Sequence, residues 1–98
     1  MKYVVLIDFT EEGLRAVGNS PQRAAAFRSH VESVGGTVIQ VYWTLGRHDG
    51  ILTMDVPDEA SAAAALLNLD RGGYVHAEAM RAFDAHEFET VLEKIEGL

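Results

Sequence analysis

The chain has 98 residues, 48% of them apolar, and carries 8 Lys+Arg against 15 Asp+Glu for a net charge of -7. That is enough for one folded domain spanning 1–98, and Asp8 breaks the first apolar run, so neither a secretory leader nor a membrane span of ~18 apolar residues is expected. The basic residues are scattered, which excludes a phosphate-binding patch for nucleic acid, and the lack of cysteine excludes disulfides and thiolate chemistry and suits the cytoplasm.

Tyr3-Val4-Val5-Leu6-Ile7 is β-rich and apolar on both faces, the pattern of a central strand. Thr10 reads as the N-cap of a short turn through Glu11, Glu12, Gly13 and Leu14, with acids at the helix start. Gly18-Asn19 breaks that turn. Ser20-Pro21 restarts a helix, with Ser20 as N-cap and Pro21 at the first position. Ala24, Phe27, Val31 and Val34 follow at helical spacing until Gly35-Gly36.

Strand two is expected over 37–45 and strand three over 48–56. A two-residue type II′ turn at Gly46-Arg47 pairs Leu45 with His48; the rival turn, at Asp49-Gly50, keeps the same residues inside. Pro57-Asp58 opens a second helix with a stripe of Ala62, Leu66 and Leu69, which Gly72-Gly73 stops. Strand four is expected over 74–83. Asp84 and Glu87 then form a D-x-x-E capping box before a last helix with Phe88, Val91, Leu92 and Ile95 on one face.

The order β-α-β-β-α-β, with right-handed crossovers, places strand one between strands three and four. The result is an α+β, ferredoxin-like fold: a four-stranded antiparallel sheet of order 4-1-3-2, helices on one side, and a C-terminal helix. Ile39, Val41, Trp43 and Leu45, with Leu52, Met54, Val56, Val75, Ala77 and Ala79, are expected to face the helices. The open face then carries Asp8, Gln40, Tyr42, Asp49, Asp55, His76 and Glu78 among apolar neighbours. A domain of this size buries only ~60–65% of its chain surface, so covering that face by self-association would help it.

The ends of these strands are expected to bring Asp8, Asp49 and His76 together at one end of the open face. His76 between carboxylates is a candidate acid/base, with Asp8 beside it; the alternative is contact across a dimer interface or a solvated rim. Gln40, Tyr42 and Glu78, deeper on the face, are candidates for binding a small polar ligand or the symmetry mate. Arg47 and His48 are expected on the hairpin, either rimming a pocket mouth or at a solvent-exposed tip, and Trp43 and Phe27 in the core. Asp84-Ala85-His86-Glu87 lacks the H-E-x-x-H spacing of a zinc site, and no phosphate loop or dinucleotide fingerprint occurs, so no metal and no cofactor is expected.

The stretch Trp43-Thr44-Leu45-Gly46-Arg47-His48-Asp49 resembles the signature of the GYD domain family, named for a Gly-x-Tyr-Asp turn. The likeness extends to Thr10-Glu11-Glu12-Gly13, Ser20-Pro21, Gly35-Gly36 and Asp58. Gly46 matches the motif glycine and Asp49 the motif aspartate, while His48 stands where the family has tyrosine, so phenol chemistry is not carried over. The resemblance implies a dimeric α+β barrel: a homodimer, or a higher oligomer, pairing its sheets through their open faces. Some relatives in that wider superfamily bind small molecules or catalyse cofactor-independent reactions between the sheets. The expectation is therefore a homo-oligomeric small-ligand-binding or assembly module using the open face. The alternative is a cofactor-independent enzyme, isomerase or monooxygenase-like, with His76 as acid/base.

Overall fold

Strand β1 (Lys2–Phe9) pairs antiparallel with a neighbour on each side, and the other elements are arranged about it. The computed structural model describes residues 1–98. After β1 come α1 (Glu11–Arg15), a 3-10 turn (Val17–Asn19), α2 (Ser20–Ser33), β2 (Thr37–Trp43), β3 (Gly50–Asp55), α3 (Glu59–Asp70), β4 (Val75–Ala82) and α4 (Ala85–Leu92). The sheet order β2-β3-β1-β4 is the expected 4-1-3-2, and the fold is α+β and ferredoxin-like. No helix is long and apolar enough to cross a membrane.

Alternation along β1 sorts the two faces. Val5 is fully buried against Phe27 and Val31 of α2, Ala62 and Ala65 of α3, and Leu52 and Met54 of β3. Alanines on α3 and at Ala77 of β4 give the helix little side chain to hold it off the sheet. Val4, Leu6 and Asp8 point to the side without helices.

The β2–β3 hairpin departs from the sequence reading in two ways. Val38 pairs with Met54 and Gln40 with Thr53, so a bulge falls at Ile39. The extra residue shifts the alternation: Val38 is buried and Ile39, expected to face the helices, is half exposed. Beyond the bulge, Val41 and Trp43 regain the helix side through their partners Leu52 and Gly50. The strands also end earlier than expected. The Thr44 N–H donates to the Asp49 carbonyl at 2.9 Å, closing the hairpin around residues 45–48, and Leu45 is fully exposed in the loop. Gly46 has φ +129°, a backbone region that disfavours side chains, which accounts for glycine there.

Three helix starts follow their sequence signals. The Gly13 N–H donates to Thr10 Oγ1, the Ser61 N–H to Asp58, and Asp84 and Glu87 make both bonds of a capping box. Ser20 differs: it lies within the helix, and its hydroxyl donates to the Val17 carbonyl at 2.7 Å. The 3-10 turn runs straight into α2, leaving no extended residue to act as cap.

Helix α4 buries no residue, and Phe88, Leu92 and Ile95 stay largely exposed. The molecule is accordingly elongated, 53 × 31 × 19 Å, with a radius of gyration of 15.1 Å against the ~13 Å of a compact chain this long. Lys2 ties the start of α4 to β1, its ammonium 3.1 Å from Glu87 and 3.3 Å from Asp84.

Two outcomes are expected. Met54→Ala, at a fully buried position, should destabilise the fold by about 2–5 kcal/mol in urea unfolding; a loss under ~1 kcal/mol would show that this site collapses around the gap. The second concerns acid. The Glu87 N–H holds Asp84 below the usual carboxylate range, and the Asp84 N–H, then Lys2, do the same for Glu87. Their contribution to α4 is complete above the unfolded values of about 4 and is lost as pH falls through the lowered folded values. Amide spectra should therefore show residues 85–92 losing helical shifts between pH ~5 and ~2 while β1 persists. A D84N/E87Q double variant should lose this pH dependence.

Candidate functional site

At the end of the open face, Asp49 fixes the geometry. Its N–H donates to the Ile7 carbonyl at 2.8 Å, and its Oδ2 accepts the Phe9 N–H at 2.8 Å. The carboxylate thus supplies a partner where the β1–β3 ladder has run out. The pinned loop carries His48 back over the sheet, with Nδ1 3.1 Å from Asp8 Oδ1 and 3.3 Å from Oδ2. The Thr44 hydroxyl, donating to the His48 carbonyl at 2.7 Å, holds that turn. His48, expected at a pocket mouth or an exposed tip, has a side chain only 26% exposed.

His76 stands opposite Asp8 in the β1–β4 register, but its ring is 79% exposed and its Nδ1 lies 3.9 Å from Asp70. Asp70 also accepts the Ala77 N–H at 3.0 Å, along the free edge of β4. The structure thus gathers Asp8, Asp49 and His48, and leaves His76 leaning away. Gln40 and Tyr42 lie on one edge strand and Glu78 on the other. Three strand spacings, about 14 Å between backbones, separate them. Between them the face is largely apolar, with Val4, Leu6 and Ile51 at its centre. No group of three or more histidine and acidic side chains is arranged to hold a metal ion.

The other feature is a cavity of about 310 Å³ on the opposite side of the sheet, between the strands, α2 and α3. Its walls are mainly apolar, with Phe9, Phe27, Val41, Trp43, Leu69 and Tyr74 prominent. Of the site residues expected from sequence, only Tyr42 and Asp49 border it. Trp43, expected in the core, is 49% exposed and forms part of the wall, its indole N–H donating to Ser20 Oγ at 3.1 Å. Arg23 of α2 also borders it. Nη1 of Arg23 donates to the Ala16 carbonyl at 3.1 Å, and its guanidinium lies 4.4 Å from the Tyr74 ring centroid. Nothing in the sequence distinguished Arg23 from a solvated helix residue.

Fold and site together define a ferredoxin-like α+β domain with one bare sheet face and a hairpin loop pinned to its central strand. The GYD domain model matches residues 3–92, and the chain belongs to that family. No curated protein matches it.

Asp49→Ala should cost about 1–3 kcal/mol, because the Phe9 N–H loses its acceptor in a partly buried place. Asp49→Asn keeps an acceptor oxygen and should retain most of that stability. Equal losses in the two variants, measured by urea unfolding, would show that charge rather than the hydrogen bond matters.

Proposed function

We propose that this GYD-family chain is a self-associating, small-ligand-binding module: two copies pair their open sheet faces, and the Asp8–His48–Asp49 end of that face contacts a small polar ligand. The observation that carries the reading is an apolar centre on a face that no helix of the same chain covers. Val4, Leu6, Ile51 and Met80 occupy it, with Thr53 opposite Val4 and Glu78 opposite Leu6, while Lys2, Asp8, Asp55 and His76 lie toward its ends. An apolar middle with a polar rim is the usual anatomy of a protein–protein interface. The unburied apolar stripe of α4 supports the same reading, because a second copy offers the surface that the first lacks.

A second reading is a cofactor-independent enzyme, and a specific contact favours it at His48 rather than His76. Nδ1 of His48 lies 3.1 Å from Asp8 Oδ1, a contact that would hold a proton on Nδ1 and leave Nε2 as the acceptor nitrogen, the arrangement of a general base. His76, exposed and near Asp70 alone, lacks that arrangement. Imidazole nitrogen spectra should find the proton held on Nδ1 in His48 and averaged in His76. The same averaging in both would remove the basis of this reading.

Light scattering at micromolar concentration should give a dimer or a higher oligomer. Leu6→Lys, which puts a charge at the centre of the face, should give a monomer with an unchanged circular dichroism spectrum. A wild-type monomer would overturn the pairing of faces.

A further inference from the structure

We propose that the helix-side cavity is a second binding site, built for a small carboxylic acid with an apolar body whose carboxylate is received by Arg23. This inference does not depend on self-association, and the cavity lies on the face opposite the one used for pairing.

Arg23 carries the argument. Its Nη1 is engaged by the Ala16 carbonyl, and one face of the guanidinium is stacked on Tyr74. Nε and Nη2 remain, closed off from solvent and with no acceptor in hydrogen-bonding reach. These two nitrogens share the side of the guanidinium that presents parallel N–H groups, the edge that takes a carboxylate through two bonds at once. Charged donors withdrawn from water without a partner are costly, and an incoming anion would remove that cost. Asp49, the one carboxylate in the lining, does not supply it: one of its oxygens takes the Phe9 N–H, and neither nitrogen has an acceptor in reach.

The cavity selects the rest of the ligand. About 310 Å³ is at the low end of the ~300–1,000 Å³ of ligand sites, too small for a nucleotide. Phe27, Val41, Trp43 and Leu69 require an apolar body. A phosphate dianion is disfavoured, because Arg23 is the only cationic side chain in the lining and would leave half its charge unbalanced. Ser20 is already occupied, donating to Val17 and accepting from Trp43. A monoanionic aromatic or branched aliphatic acid fits. Tyr74, over the guanidinium and 37% exposed, is the half-exposed side chain beside Arg23 at the cavity wall.

Trp43 is the only tryptophan and lies in the wall, so its fluorescence reports occupancy. Phenylacetate and isovalerate are titrated into the full chain beside the matching alcohols, 2-phenylethanol and isoamyl alcohol. The acids should give a saturable change, with each alcohol at least ~10-fold weaker than its acid. Arg23→Met, which keeps the apolar stem, should abolish the preference for acid. Ala24→Leu, which narrows the cavity without touching Arg23, should weaken acid and alcohol alike. In the wild type, the Arg23 Nε–H resonance should move downfield with acid and stay in place with alcohol, a readout that does not require either variant to fold. Equal binding of acid and alcohol, a stationary Nε–H resonance, or no saturation below ~10 mM would overturn the proposal. None of these results bears on the pairing of open faces, which light scattering reads separately.

Discussion

Four strands have two faces, and this chain has packed helix for one of them. That shortage governs the molecule. Strand β1 lies inside the sheet, so it can bury Val5 completely beneath α2 and α3, yet the same pleat must present Val4 and Leu6 to the other side. α4 does not relieve the shortage. It is tied by Lys2 to the end of the sheet and runs outward with its apolar stripe uncovered. A bare apolar sheet centre and a bare apolar helix stripe are two consequences of one deficit of covering surface.

The hairpin loop shows how a tertiary contact can override a local turn preference. Gly46-Arg47 has the local chemistry of a tight two-residue turn, and Gly46 does take the positive φ that glycine allows. The strands nevertheless open at Trp43 and Gly50, because Asp49 satisfies β1 twice, at the Ile7 carbonyl and at the Phe9 N–H. Those bonds require the loop to fold over the end of the sheet, and His48 is carried to Asp8 as a result. The G-x-x-D spacing is thus a way to finish the central strand as well as to turn the chain.

Much of the fold was legible because its signals are local. Thr10, Asp58 and the Asp84–Glu87 box cap where their side chains say they should, and crossover handedness alone fixed the strand order. The bulge was not legible: Val38, Ile39 and Val41 are all apolar, so a period of two fits either register and only packing against Met54 chooses Val38. Asp8 stands opposite His76 as the strand order implies, but register fixes Cα neighbours and not where a ring turns. The His76 ring is largely exposed, with its Nδ1 3.9 Å from Asp70 at the end of a different element. Arg23 was invisible for a related reason. An arginine in an α2 sequence resembles any solvated cation until the 3-10 turn supplies Ala16 and the start of β4 supplies Tyr74.

The two regions of interest share the last residues of β1. Ile7 and Phe9 form part of the wall of the helix-side cavity, while Asp8 between them faces His48 on the other side. Asp49 borders the cavity and bonds the backbone on both sides of Asp8, at Ile7 and at Phe9. A side chain in one pleat cannot be displaced along the sheet normal without moving its peptide neighbours, whose side chains occupy the opposite face. The sheet is one residue thick here, so the cavity wall and the Asp8–His48 pair are mechanically one structure. Asp49 ties into both, through its N–H to Ile7 and its carboxylate to Phe9.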